Sequence, residues 1–166
     1  MICKTCEIEY KGTVVNLLNQ ILADVFVLYV KVLNFHWNLT GVQFVHIHKF
    51  LGDLYTSMLT NIDDLAEHIR AMDGRPNATM AKFLGEAHNV TEEEPVDYDA
   101  ENLLVILTKD FKNVNSYIRK VIEHITDNFM VDQATGFHGD SIVDFLTGLL
   151  QEFEKTTWQL SASVER

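Results

Sequence analysis

The sequence has few residues that interrupt or cross-link a chain. Its 166 residues include two prolines, eight glycines and two cysteines. Because proline and glycine destabilise helix interiors, their scarcity favours long uninterrupted helices. Both cysteines, Cys3 and Cys6, lie in one N-terminal CxxC, and no second pair exists to complete a zinc ribbon. We expect two free thiols in a short tail over residues 1–10, with a redox or metal-binding role as the alternative.

Positive charge is also scarce. Thirteen lysines and arginines face 24 acidic residues, which gives a net charge of -11. Such a chain repels nucleic acid and anionic lipid and attracts cations. The N-terminus lacks the charged and apolar regions of a secretory signal, and the most apolar stretch, residues 23–33, is too short to span a bilayer. We therefore expect a cytoplasmic protein with no membrane partner.

The spacing of the apolar residues predicts an all-α protein. Steps of three and four run through segments at about residues 11–35, 42–72, 100–127 and 141–160. An Asp-Gly-Arg-Pro sequence at 73–76 ends the second segment. A polar connection follows, with a short helical turn at about 80–86. In the third segment the apolar positions are Leu107, Phe111, Val114, Ile118, Val121 and Ile125.

Two helices joined by a tight turn, a long crossover and two more helices form a four-helix bundle with one long connection. Ferritin-like folds have this topology. We assign a single ferritin-like domain to residues 11–162, with a short extra helix in the crossover. A bundle without chemistry has the same pattern, so function must be argued from particular side chains.

The second predicted helix carries side chains that bind metals. Asp63 and Glu67 are four residues apart and therefore share one helix face. His48 lies near the start of that helix, and His36 lies just before the preceding turn. Carboxylates and imidazoles together suit iron. The sequence has no Glu-x-x-His pair, from which di-iron sites inside a bundle are built, and no zinc-protease HExxH.

The separation of these residues along the helix points to a site shared between chains. Fifteen residues separate His48 from Asp63, which corresponds to about 22 Å at a helical rise of about 1.5 Å. If all four residues serve one site, the carboxylates must come from another subunit. Two such helices meeting antiparallel across a two-fold axis would bring them together and create two equal sites.

The order of these residues resembles the signature of the Dps proteins, or miniferritins. It consists of His36-Trp37-Asn38, then His48, then Asp63 and Glu67. Residues 62–70 and 154–160 resemble further motifs of that family, and the resemblance covers about residues 10–162. Asp64 adjoins Asp63 and is the alternative ligand, but the family spacing favours Asp63.

The resemblance implies a homo-dodecameric cage that oxidises Fe(II) and stores ferric mineral, protecting against oxidative damage. Its ferroxidase sites would lie at two-fold interfaces, with His36 and His48 from one chain and Asp63 and Glu67 from the other. Hydrogen peroxide or dioxygen would be the oxidant, and consumption of peroxide would suppress hydroxyl radicals. Trp37 would adjoin the site as an electron relay, or would only pack at the dimer interface.

Two further features bear on metal handling. By resemblance, Asp140 and Asp144 line three-fold pores that admit iron; a helix cap and a first-turn acid are the alternative reading. The family often has an acidic residue four positions after the second histidine, where this chain has Gly52. The next residue, Asp53, is a weaker candidate ligand. We therefore expect the second metal position to be weakly held.

Direct DNA binding is not expected. The N-terminal tail offers only Lys4 and Lys11, opposed by Glu7 and Glu9, and residues 161–166 contain one arginine. Binding to DNA needs many phosphate contacts. The alternatives to an iron-oxidising cage are a DNA-binding nucleoid protein, a structural shell with little ferroxidase activity, and a helical interaction protein without metal.

Overall fold

The computed structural model describes the backbone of residues 4–95, 97–129 and 139–164. Side chains are described for residues 12–95, 97–128 and 139–164. In this part of the chain the helices are α1 (Lys4–Asn38), α2 (Phe44–Ala71), α3 (Met80–Glu86), α4 (Ala100–Phe129) and α5 (Gly139–Val164). The protein is thus a ferritin-like helical bundle, as predicted, with the short helix α3 in the crossover.

The helices pack as two antiparallel hairpins. Helix α1 packs along α2, α4 packs along α5, and α1 also contacts α3 and α4. The apolar positions predicted for α4, from Leu107 to Ile125, are all buried. The same holds for Leu51, Met58 and Leu65 of α2 and for Phe153 of α5. The three- and four-residue spacing therefore identified the faces that form the core.

Helix α1 begins earlier than the sequence predicted, at Lys4 instead of about residue 11. Cys6 therefore lies in the helix, although its side chain and the whole of Cys3 lie outside the described residues. By length and composition, Gly12–Asn38 of α1 is apolar enough to cross a membrane. In this fold it is a core helix, because 56% of its most apolar stretch is buried inside the subunit.

The end of α2 is shaped by a tight approach to α1. Asp73 adopts the left-handed conformation, at φ 61°, and its N–H donates to the Arg70 carbonyl. The Gly74 N–H donates to the Ile69 carbonyl, which completes a Schellman motif. A Cβ at Gly74 would lie 2.6 Å from Cγ2 of Val15, so only glycine fits there.

Two buried polar side chains of α1 hold the crossover and α4. The carboxylate of Asp24 is fully buried and accepts from the His88 N–H at 2.9 Å and the Asn89 N–H at 2.8 Å. Lys31 Nζ donates to Oδ2 of Asp110 on α4 at 2.6 Å. These bonds satisfy polar groups that would otherwise be costly to bury.

Candidate metal centre

The turn between α1 and α2 brings His36 and His48 together. Leu39 buries its side chain and Gly41 adopts a φ of 107°, which reverses the chain over residues 39–43. The Thr40 N–H donates to the Tyr98 carbonyl at 3.0 Å and thereby fixes the turn to the end of the crossover. His36 therefore stands in the last turn of α1 beside His48 in the second turn of α2.

The ring of each histidine is hydrogen-bonded to the backbone of the other histidine. Nδ1 of His36 lies 2.9 Å from the carbonyl oxygen of His48, and Nδ1 of His48 lies 3.0 Å from the carbonyl oxygen of His36. A carbonyl oxygen only accepts, so each Nδ1 must carry the proton and donate. In the neutral ring the lone pair then resides on Nε2. Both imidazoles are thus fixed in the tautomer that binds a metal through Nε2.

The two rings are stacked, with centroids 3.8 Å apart and planes at 18°. The lone pair of an imidazole nitrogen lies in the plane of its ring. Since the two planes are nearly parallel, a single ion midway between them would lie well outside both planes. Each imidazole therefore suits a metal ion of its own, and dinuclear sites hold their ions about 3.5–4 Å apart.

Two neighbours of the rings, Phe44 and Tyr55, were not identified from the sequence. Phe44 stacks on His48 with centroids 4.8 Å apart, and Tyr55 meets His36 edge-on at 5.2 Å. At Gly52 a Cβ would lie 3.3 Å from Cε1 of His36. Phe44, like Gly52, is four residues from His48, so helical spacing was a usable signal for Phe44.

The carboxylates lie at the other end of the same helix. Helix α2 is continuous from Phe44 to Ala71, so the predicted separation of about 22 Å between His48 and Asp63 holds. Asp63 and Glu67 are exposed on the surface of the subunit. Within the described ranges, no three His, Cys, Asp or Glu side chains stand together as metal ligands. One subunit therefore carries two separate groups of candidate ligands, each of which would be one half-site of the predicted shared site.

The lesser candidate ligands stand apart from the histidines. Asp53 pairs with Lys49 at 2.6 Å, and both side chains are more than two-thirds exposed. Asp64, the alternative to Asp63, lines a cavity of about 260 Å³ with Glu67 and His68. Neither arrangement brings a carboxylate to the imidazole pair.

Large apolar side chains are exposed beside the histidines. Trp37 is 69% exposed, Val45 is 72% exposed, and Val42 is fully exposed. Leu59, farther along α2, is 52% exposed. An exposed apolar surface of this kind is typical of a protein interface.

The two remaining acids lie at the start of α5. Asp140 is in the first turn, where its Oδ1 accepts from the Ser141 N–H at 2.9 Å, and Asp144 follows one turn later. Both are exposed. A first-turn acid is stabilised by the helix dipole, and this contact is compatible with a pore-lining role as well.

Comparison with known proteins agrees with this arrangement of helices. The model of the ferritin-like domain family matches residues 15–166. The DNA protection during starvation protein 2 of Bacillus anthracis is 36% identical over 149 residues, which cover 90% of this chain and 94% of that protein.

Solved structures give the same result. The Dps of Staphylococcus aureus is 28% identical, with a TM-score of 0.80 over 92% of this chain and 95% of that chain. A Dps protein of Bacillus brevis is 29% identical, with a TM-score of 0.81 over 93% of this chain and 97% of that chain. The bundle, the family match and these relatives together show that the chain belongs to the ferritin-like family and, within it, to the Dps proteins.

Proposed function

We propose that this protein is a cytoplasmic ferroxidase and iron-storage subunit. Fe(II) binds at the interface of two subunits, where His36 and His48 of one subunit face Asp63 and Glu67 of the other. It is oxidised there and deposited as ferric mineral inside a shell of twelve chains. The observation that carries the proposal is the histidine pair, whose tautomers leave Nε2 free to bind a metal. The paired carboxylates lie about 22 Å away along α2.

The surface beside the histidines supports a shared site. Trp37, Val42 and Val45 are exposed in the isolated subunit, and burial of such side chains drives association. An antiparallel contact of two α2 helices would cover this surface. It would also bring each half-site against the complementary half of the other chain.

The proposed reaction transfers two electrons. Two Fe(II) ions each lose one electron, the O–O bond of one hydrogen peroxide breaks, and two protons complete two water molecules. Because both electrons are taken up together, no hydroxyl radical is released. His36 and His48 bind and orient the iron, Asp63 and Glu67 would neutralise its charge, and Trp37 would supply an electron if only one iron is present. Asp140 and Asp144 would attract the incoming cations.

Complementation between subunits tests the shared site. Shells made only of H36A chains, or only of D63A chains, have no intact site, and we expect Fe(II) oxidation to fall at least about tenfold in each. Randomly mixed shells contain heterodimers in half of the pairs. Each heterodimer has one intact site, so about one quarter of the normal rate should return.

The controls separate this result from unrelated effects. H46A and D64N change an exposed histidine and the neighbouring acid, and they should oxidise iron at the normal rate. Sedimentation should show about 228 kDa for every shell, which is twelve times 19.0 kDa. If mixed shells recover no activity, or if D63A oxidises iron normally, the shared site is wrong.

DNA binding is the second candidate, since relatives such as that of Bacillus anthracis carry DNA protection in their names. The net charge of -11 argues against direct contact with phosphates. Protection of DNA by removal of Fe(II) and peroxide requires no contact, and it is the form that we propose.

A further inference from the structure

Position 52 faces the place where a metal ion would bind the histidines. Residue 52 is one helical turn after His48 and therefore lies on the same face of α2. A Cβ there would lie 3.3 Å from Cε1 of His36 and 3.8 Å from its Nδ1. Cε1 is bonded directly to Nε2, the nitrogen left free for a metal. A carboxylate at position 52 would therefore reach the coordination sphere.

In the described part of the subunit, no other acid takes this place. Asp53, the nearest acid in α2, is offset by one residue and pairs with Lys49 at 2.6 Å. Among the residues whose side chains are described, no third metal-binding group joins the imidazole pair. The half-site thus supplies two nitrogens on nearly parallel rings and no oxygen.

The packing of the His36 ring also explains why residue 52 is a glycine. The His36 ring reaches the α2 backbone at the His48 carbonyl, with 2.9 Å between Nδ1 and the oxygen. In an α-helix that carbonyl also accepts the N–H of residue 52. A side chain at position 52 would press on the His36 ring. This contact favours glycine there, although a glycine inside a helix costs about 1 kcal/mol in stability relative to alanine.

From this geometry we infer that Gly52 makes the two metal positions of each shared site unequal. The inference rests on the proposed function. Asp63 and Glu67 of the neighbouring chain supply enough oxygen atoms to complete the coordination of one ion that is bound to one imidazole. The second ion is bound by the other imidazole and only by carboxylate oxygens that it shares with the first ion. Its remaining coordination positions are therefore open to water. One ion is held firmly, and the other exchanges with solution.

Zinc titration of the metal-free shell tests this inference without turnover. The unchanged protein should bind one Zn²⁺ per subunit tightly and a second at least about tenfold more weakly. G52D should bind both tightly, because it adds the missing carboxylate. G52N and G52A also add a Cβ next to His36 but no charge, and they should keep the second ion weak. Co²⁺ absorption spectra should show the added oxygen ligand only in G52D.

Two results would overturn the inference. One is a pair of equally tight Zn²⁺ ions in the unchanged protein. The other is a gain in G52N as large as in G52D, which would show that ring position and not the carboxylate matters. If the unchanged protein binds two equally tight ions and D63A loses them, only this inference fails. If the unchanged protein binds no Zn²⁺, or D63A binds it normally, the proposed function fails as well.

Discussion

Hydrogen bonds to neighbouring oxygens orient single side chains in this subunit. His36 and His48 have their Nδ1 protons fixed by carbonyl oxygens. The hydroxyl of Tyr117 donates to Oε1 of Gln20, and burial, followed by the charge of Asp24, raises the pKa of Tyr117 to about 12. In each case a neighbouring oxygen accepts a hydrogen bond from the side chain.

The raised pKa of Tyr117 predicts a loss of stability in alkali. The unfolded tyrosine loses its proton near pH 10, whereas the folded one keeps it to about pH 12. Its contribution is therefore complete below pH 10 and is lost as the pH rises through this window. Y117F should lose about 1 kcal/mol at neutral pH, and the difference from the unchanged protein should shrink towards pH 12. Denaturant unfolding across this range measures it; parallel curves would contradict it.

At the scale of elements, one buried ion pair joins α1 to α4. The side chains of Lys31 and Asp110 are 2% and 9% exposed, and Glu93 of the crossover lies 3.5 Å from the same Nζ. Burial raises the pKa of the Asp110 carboxyl, while the hydrogen bond and charge of Lys31 oppose that rise. The carboxylate is therefore tolerated in the bundle because the lysine is beside it.

Removal of one partner should be far worse than removal of both. K31M leaves an unpaired buried carboxylate and should cost about 3–5 kcal/mol in the free energy of unfolding, whereas K31M/D110L should recover most of it. Because the raised pKa favours the protonated acid, the cost of K31M should diminish as the pH falls. Denaturant unfolding gives both values.

The matched control for this pair is K49M, which breaks the exposed pair of Lys49 with Asp53. It should cost less than about 1 kcal/mol, because solvent screens the charges. An equal effect of K31M and K49M would show that the buried pair has no special weight.

For the whole molecule, charge decides which partners are accessible. Twelve chains at -11 each give about -132 for the proposed shell, before iron and counterions. We expect no mobility shift of duplex DNA at physiological ionic strength without divalent cations, because such a shell repels phosphates. The same protein with a short lysine-rich C-terminal extension is the positive control. A shift by the unchanged protein alone would contradict the prediction.

Much of this fold follows from local patterns. The period of the apolar residues in α4 and α5 identified both the helices and their buried faces, because a helix must bury one stripe. The start of α1 was predicted too late, at about residue 11 instead of Lys4. Residues 4–10 contain no strong capping signal that would have marked the start of the helix. The Schellman motif uses Asp73 as its left-handed residue, while Gly74 is required by the contact with Val15.

The sequence by itself determined the helical bundle and the set of candidate metal ligands, because helical periodicity and ligand chemistry are local properties. It also determined that His48 and Asp63 are too far apart to share an ion within one straight helix. Only the tertiary structure decided that Nδ1 of each histidine donates to the carbonyl oxygen of the other, that the two rings stack, and that Gly52 faces His36. Those contacts join residues across a turn, and their geometry depends on how α1 and α2 pack.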